Sequence, residues 1–91
     1  LVIKPDSLPH LVGPAKLAIE ETRKEEGCIT YDLFSSVTEP ETMVFVERWE
    51  TREALSAHAR TPHIATWREA SNPHLVSRTI EIVHPEKVET F

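Results

Sequence analysis

Between Thr42 and Glu50 the chain alternates Met43, Phe45, Glu47 and Trp49 against Val44, Val46, Arg48 and Glu50. A period of two marks a β-strand, because successive side chains leave the backbone on opposite sides. What constrains the fold is that both sides carry apolar residues. An antiparallel strand with one wet face shows a cleaner split. This strand needs cover twice: helices of its own chain on one side, and something else on the other. A second copy of the same sheet is the simplest second cover.

The flanking segments supply the helices. Leu1-Val2-Ile3, closed by Lys4-Pro5-Asp6, reads as the end of a strand and a turn. The chain opens there without methionine, so this strand is expected to be truncated at its N-terminal end. Ser7 can cap a helix, and Leu8, Leu11, Val12, Ala15, Ala18, Ile19 and Thr22 recur at helical spacing. Gly13-Pro14 interrupts that pattern, because an internal proline removes a hydrogen bond and crowds the preceding turn. The expectation is a kink there, or a helix that begins near Pro14 and stops at Gly27. From Cys28 the period returns to two, with Ile29, Tyr31 and Leu33 on one face and Cys28, Thr30, Asp32 and Phe34 on the other.

After the Thr42–Glu50 strand, Thr51 caps a helix through His58, Thr61-Pro62 caps and starts another, and Asn72-Pro73 stops it. Val76 to His84 reads as a final strand that Pro85 ends, followed by a tail. The order strand, helix, strand, strand, helix, strand predicts an α+β fold of the ferredoxin-like, split β-α-β plan, an antiparallel sheet with helices on one face. At 91 residues this is a single domain spanning residues 1–91.

Composition removes several functions. Ten basic against fifteen acidic residues, a net charge of −5, argue against a clustered positive face for nucleic acid. No run approaches the roughly 18 apolar residues of a membrane-spanning helix, so no membrane partner is expected. Cys28 is the only cysteine, which rules out a disulfide within the chain and the cysteine-rich zinc sites, and fits a cytoplasmic setting. With two glycines there is no dinucleotide loop.

Chemistry concentrates between Glu47 and Trp67. Glu47 lies in an apolar run and needs a partner if buried. His58 ends one helix, where a donor suits the exposed carbonyls. His63 and Trp67 are four residues apart and share a helical face. Each admits a plain structural role: a capped or paired acid, a helix-end donor, core and rim. His10, His74 and His84 stand apart and carry no assigned chemistry. A metal site built from Glu47, His58 and His63 follows no H-E-x-x-H spacing and would need two helices to cooperate, so none is expected.

Three segments in order, Glu26-Gly27-Cys28-Ile29-Thr30-Tyr31, Glu47-Arg48-Trp49 and Ala54-Leu55-Ser56-Ala57-His58 with Thr61-Pro62-His63, resemble the antibiotic biosynthesis monooxygenase family over residues 2 to 84. The resemblance implies a dimeric α+β barrel, a homodimer packed sheet to sheet, with a pocket in each subunit between sheet and helices. It implies an oxygenase of quinols, phenols or polyketide-like aromatics that uses O2 with no bound cofactor. Other readings on the same fold are an isomerase of a phosphorylated signalling sugar and a non-catalytic binding module for a small hydrophobic metabolite. Haem chemistry would require a proximal histidine on the second short helix, where Arg68 stands instead, unless His63 serves. On the oxygenase reading His63 is the first choice of base and His58 the second, Glu47 orients a histidine, and Tyr31, Trp49 and Trp67 form the walls of an aromatic pocket.

Overall fold

The computed structural model describes residues 1–91. In chain order the elements are β1 (Val2–Ile3), α1 (Leu8–Arg23), β2 (Cys28–Ser35), β3 (Met43–Trp49), α2 (Arg52–His58), α3 (Pro62–Ser71), a 3₁₀ turn (Asn72–His74) and β4 (Leu75–Ser77). β2 pairs antiparallel with β3, and β1 with β4. A Val2–Thr42 bridge joins the two pairs, reinforced by hydrogen bonds from Ile3 N to Glu41 O (2.9 Å) and from Met43 N to Leu1 O (2.8 Å). Read across, the strands run β4-β1-β3-β2, the order of a ferredoxin-like sheet.

The core lies between the sheet and the helices. Leu11, Ala15 and Ala18 recur along one side of α1 and meet Ile3, Met43 and Trp67, with Leu33, Phe45 and Leu75 packed around them. On β3 the alternation holds residue by residue: Met43 is buried and Phe45, Glu47 and Trp49 half-buried, while Val44, Val46 and Arg48 face out. That outer face carries an apolar patch, with Phe34 51%, Val44 54% and Val46 48% exposed, beside Thr30, Asp32 and Arg48.

Four expectations need correction. α1 runs unbroken from Leu8 through Pro14, so the helix neither begins near Pro14 nor reaches Gly27. The amide that Pro14 lacks would have bonded the carbonyl of His10, which is exposed and has water available. The helix closes at Arg23, and Gly27, at φ 84°, turns the chain into β2 instead. Ile29 does not join Tyr31 and Leu33 on the inner face. The register steps from Cys28–Trp49 to Thr30–Arg48, a bulge that pushes Ile29 outward. Finally, β4 spans only Leu75–Ser77, not Val76 to His84. Residues 78–91 find no partner strand within the chain, and Ile80, Ile82 and Val83 are exposed.

Candidate active site

The corner between α2 and α3 is fixed by local chemistry. Thr51 caps α2, its hydroxyl accepting from Ala54 N at 3.1 Å. Thr61 does not cap α3 with its side chain; its hydroxyl and amide both donate to His58 O, at 2.8 and 3.1 Å. This double bond to one carbonyl holds the end of α2 against the start of α3. His58 and His63 therefore stand in a set relation, with ring centroids 6.2 Å apart.

Both rings converge on Glu25. One carboxylate oxygen, Oε2, lies 2.7 Å from His58 Nδ1 and 2.8 Å from His63 Nε2. The side chains are 14% exposed for Glu25, 8% for His58 and 19% for His63, so the cluster is sheltered but open at the His63 edge. Glu25 sits in the turn after α1, where its amide donates to Thr22 O at 3.0 Å. In sequence it belongs to the charged run Arg23-Lys24-Glu25-Glu26, which resembles any solvated helix end; no spacing rule points it at the histidines.

Glu47 plays a different part from the one expected. Its Oε1 accepts from Trp49 Nε1 at 3.0 Å, fixing the indole, and it makes no hydrogen bond to a histidine. The acid that orients the imidazoles is Glu25. Trp49 and Tyr31 flank His58, with ring centroids at 4.8 and 5.2 Å. Tyr31 continues the aromatic layer to Phe45, and Phe45 meets Trp67 edge-on at 5.6 Å. Trp67, 5% exposed, belongs largely to the core, and only its rim reaches a cavity.

Charge and burial set the protonation of the sheet side. Burial pushes the Tyr31 phenol well above its ordinary value, and the negative charges of Glu47 and Glu25 add to this. Tyr31 thus keeps its phenol neutral. The fully buried Thr22 hydroxyl makes no hydrogen bond. Burial also raises the Cys28 thiol, with Glu25 and Glu47 reinforcing, so Cys28 is no thiolate nucleophile.

Two hollows lie near these residues. A cavity of about 150 Å³ between α1 and α3 is bordered by Pro14, Leu17, Ala18, Glu21, His63 and Trp67. It is about the size that admits a single ring. A wider, shallower one of about 580 Å³ includes Ile29, Thr30, Phe34 and Val46 from the outer side of the sheet. None of the histidines touches it, and it reads as uncovered sheet surface. The structure therefore brings together His58, His63, Tyr31 and Trp49, adds Glu25, and sets Glu47 and Trp67 at the margins.

The model of the family described as antibiotic biosynthesis monooxygenase matches residues 1–70 of this chain. The chain belongs to that family. A relative from Escherichia coli, Probable quinol monooxygenase YgiN, is 34% identical over 70 residues, covering 68% of this chain and 67% of its own. An uncharacterized Synechocystis protein, sll1783, is 35% identical over 80 residues; the match takes in 88% of this chain but only 54% of that longer protein. Among solved structures, Rv0793 from Mycobacterium tuberculosis superposes with a TM-score of 0.85 at 29% identity, over 98% of this chain and 91% of that one. Family membership accounts for the ferredoxin-like order described above. No helix is long and apolar enough to cross a membrane.

Proposed function

We propose that this chain is a monooxygenase that oxidises a quinol or related phenol with O2 and uses His63 as its base. The observation that carries the reading is the Glu25-held imidazole pair, of which His63 borders a ring-sized cavity with Trp67 on its wall, while Tyr31 and Trp49 pack behind His58. The name of the YgiN relative points to the same substrate class.

The chemistry balances without a further reductant. His63 takes the phenolic proton, and the phenolate gives one electron to O2. Phenoxyl radical and superoxide then join at a ring carbon bearing hydrogen. Protonation gives a hydroperoxide, and loss of water leaves a quinone carbonyl, so one oxygen atom enters the product and the other leaves as water. A base within reach of the phenol is worth about 10²–10⁴ in rate. Glu25 steadies the imidazolium that forms, and the Tyr31 and Trp49 wall keeps water from His58.

An isomerase of a phosphorylated sugar finds less support, because no Lys or Arg borders the cavity to hold a phosphate. We also propose that the working unit is a homodimer joined through the outer sheet faces, since Phe34, Val44 and Val46 form an apolar surface the chain's own helices do not cover. The test of function is oxygen uptake with a panel of hydroquinones and naphthols. Uptake above the protein-free rate supports the reading. None across the panel would leave a binding module for a small hydrophobic metabolite.

A further inference from the structure

We propose that Glu25, His58 and His63 form a binding site for one divalent first-row transition ion. Each offers one ligand atom, Oε2, Nδ1 and Nε2 respectively, and the three atoms lie within 4.8 Å of one another. Two imidazole nitrogens and one carboxylate are a donor set that zinc and iron(II) take, usually with open positions left for water or substrate. The inference is independent of the oxygenase reading, although it concerns some of the same side chains.

The three ligand atoms already converge, and side-chain rotation must bring them to a common spacing. Ligands about 2.0–2.2 Å from a tetrahedral ion stand roughly 3.3–3.5 Å from one another. Here the carboxylate oxygen is 2.7 and 2.8 Å from the two nitrogens, so those two edges must open by about 0.5–0.8 Å, while the nitrogen–nitrogen edge, within 4.8 Å, adjusts toward the same spacing by rotation of the two rings. The backbone is already arranged, because the paired bonds from Thr61 to His58 O lock the corner that carries both histidines. Access is available at the His63 edge, while Tyr31 and Trp49 close off the far side.

An ion at this place replaces the protons that His58 Nδ1 and His63 Nε2 give to Glu25, and each neutral ring then keeps its proton on the other nitrogen, where a base needs a free lone pair. The ion-loaded and base-competent forms therefore exclude one another, and binding is expected to weaken as pH falls. The spacing of these residues, 25, 58 and 63, follows no sequence rule for metal ligands; the turn after α1 creates the site by folding Glu25 back onto the α2–α3 corner.

The test is calorimetric titration of chelator-treated protein with zinc chloride, beside absorption spectra with cobalt(II). The expected result is one ion per chain and visible ligand-field bands from cobalt bound by nitrogen and oxygen. His63→Ala and Glu25→Gln should each weaken zinc binding at least about tenfold, as loss of a ligand does. His10→Ala, away from the cluster, should leave it unchanged. Thermal melts establish that each variant is folded, and if Glu25→Gln fails to fold, the partly exposed His63 carries the test alone. Absence of saturable zinc uptake, or uptake that His63→Ala does not weaken, would overturn the proposal.

Discussion

Glu25 and His63 are 38 residues apart in the chain and 2.8 Å apart in the fold, carboxylate oxygen to imidazole nitrogen. The same oxygen holds His58, so a single acid sets the orientation of both rings. A carboxylate this sheltered is costly to leave without donors, and each histidine N–H supplies one.

The first expected outcome follows from that geometry. Glu25→Gln keeps the shape but removes the charge from two hydrogen bonds, and should destabilise the fold by about 1–3 kcal/mol. Urea unfolding of the purified variant checks it. A change under about 0.3 kcal/mol, within the scatter of exposed pairs, would mean that the cluster is held by packing alone.

Tyr31 offers a direct pH experiment, because it is the only tyrosine in the chain. Its folded pKa is raised above the unfolded value of about 10. Stability tied to the neutral phenol is therefore complete below about pH 10 and is lost as pH rises beyond it, since the unfolded state gives up its proton first. Tyrosinate absorbance should stay absent above pH 10 until the protein unfolds, and Tyr31→Phe should flatten the alkaline loss of stability. A titration with its midpoint near 10 in folded protein would contradict the burial argument.

Gly27 provides a test of the turn into β2. Its φ of 84° is strained for any residue with a side chain, and a Cβ there would lie 2.7 Å from the Ala54 Cβ at the start of α2. Gly27→Ala should lower stability by about 1–3 kcal/mol, strain and crowding acting together. An unchanged melting temperature would show that the turn can relax.

The proposed homodimer is addressed by one substitution on the outer sheet face. Wild-type protein should scatter light as twice the 10.4 kDa of one chain. Val46→Asp places a second carboxylate opposite Asp32 and beside Val44 and Phe34, and should shift the mass to that of a monomer. A monomeric wild type at micromolar concentration would remove the dimer.

How much of this was legible in the sequence depends on the range of the interaction. The alternation along Met43–Trp49 follows from local geometry, and so do the Thr51 cap and the break at Asn72-Pro73; all appear where the pattern puts them. Pro14 misleads because the tertiary contacts of Leu11, Ala15 and Ala18 carry the helix across a local flaw. The bulge at Ile29 leaves no trace in composition. The site divides in the same way. His58 and His63 stand out by crowding, whereas Glu25 is one acid among fifteen, and only the closing of the α1 turn onto the α2–α3 corner singles it out. Glu47 stands out as an acid in an apolar strand, yet the indole of its near neighbour Trp49 donates to it.

The most direct measurement of the central claim is oxygen consumption with a responsive hydroquinone, wild type beside His63→Gln, with quinol affinity measured separately. If His63 holds the proton, the variant should bind the quinol about as well and turn it over roughly 10²–10⁴ times more slowly. Equal rates in the two proteins would contradict the account and pass the role of base to His58.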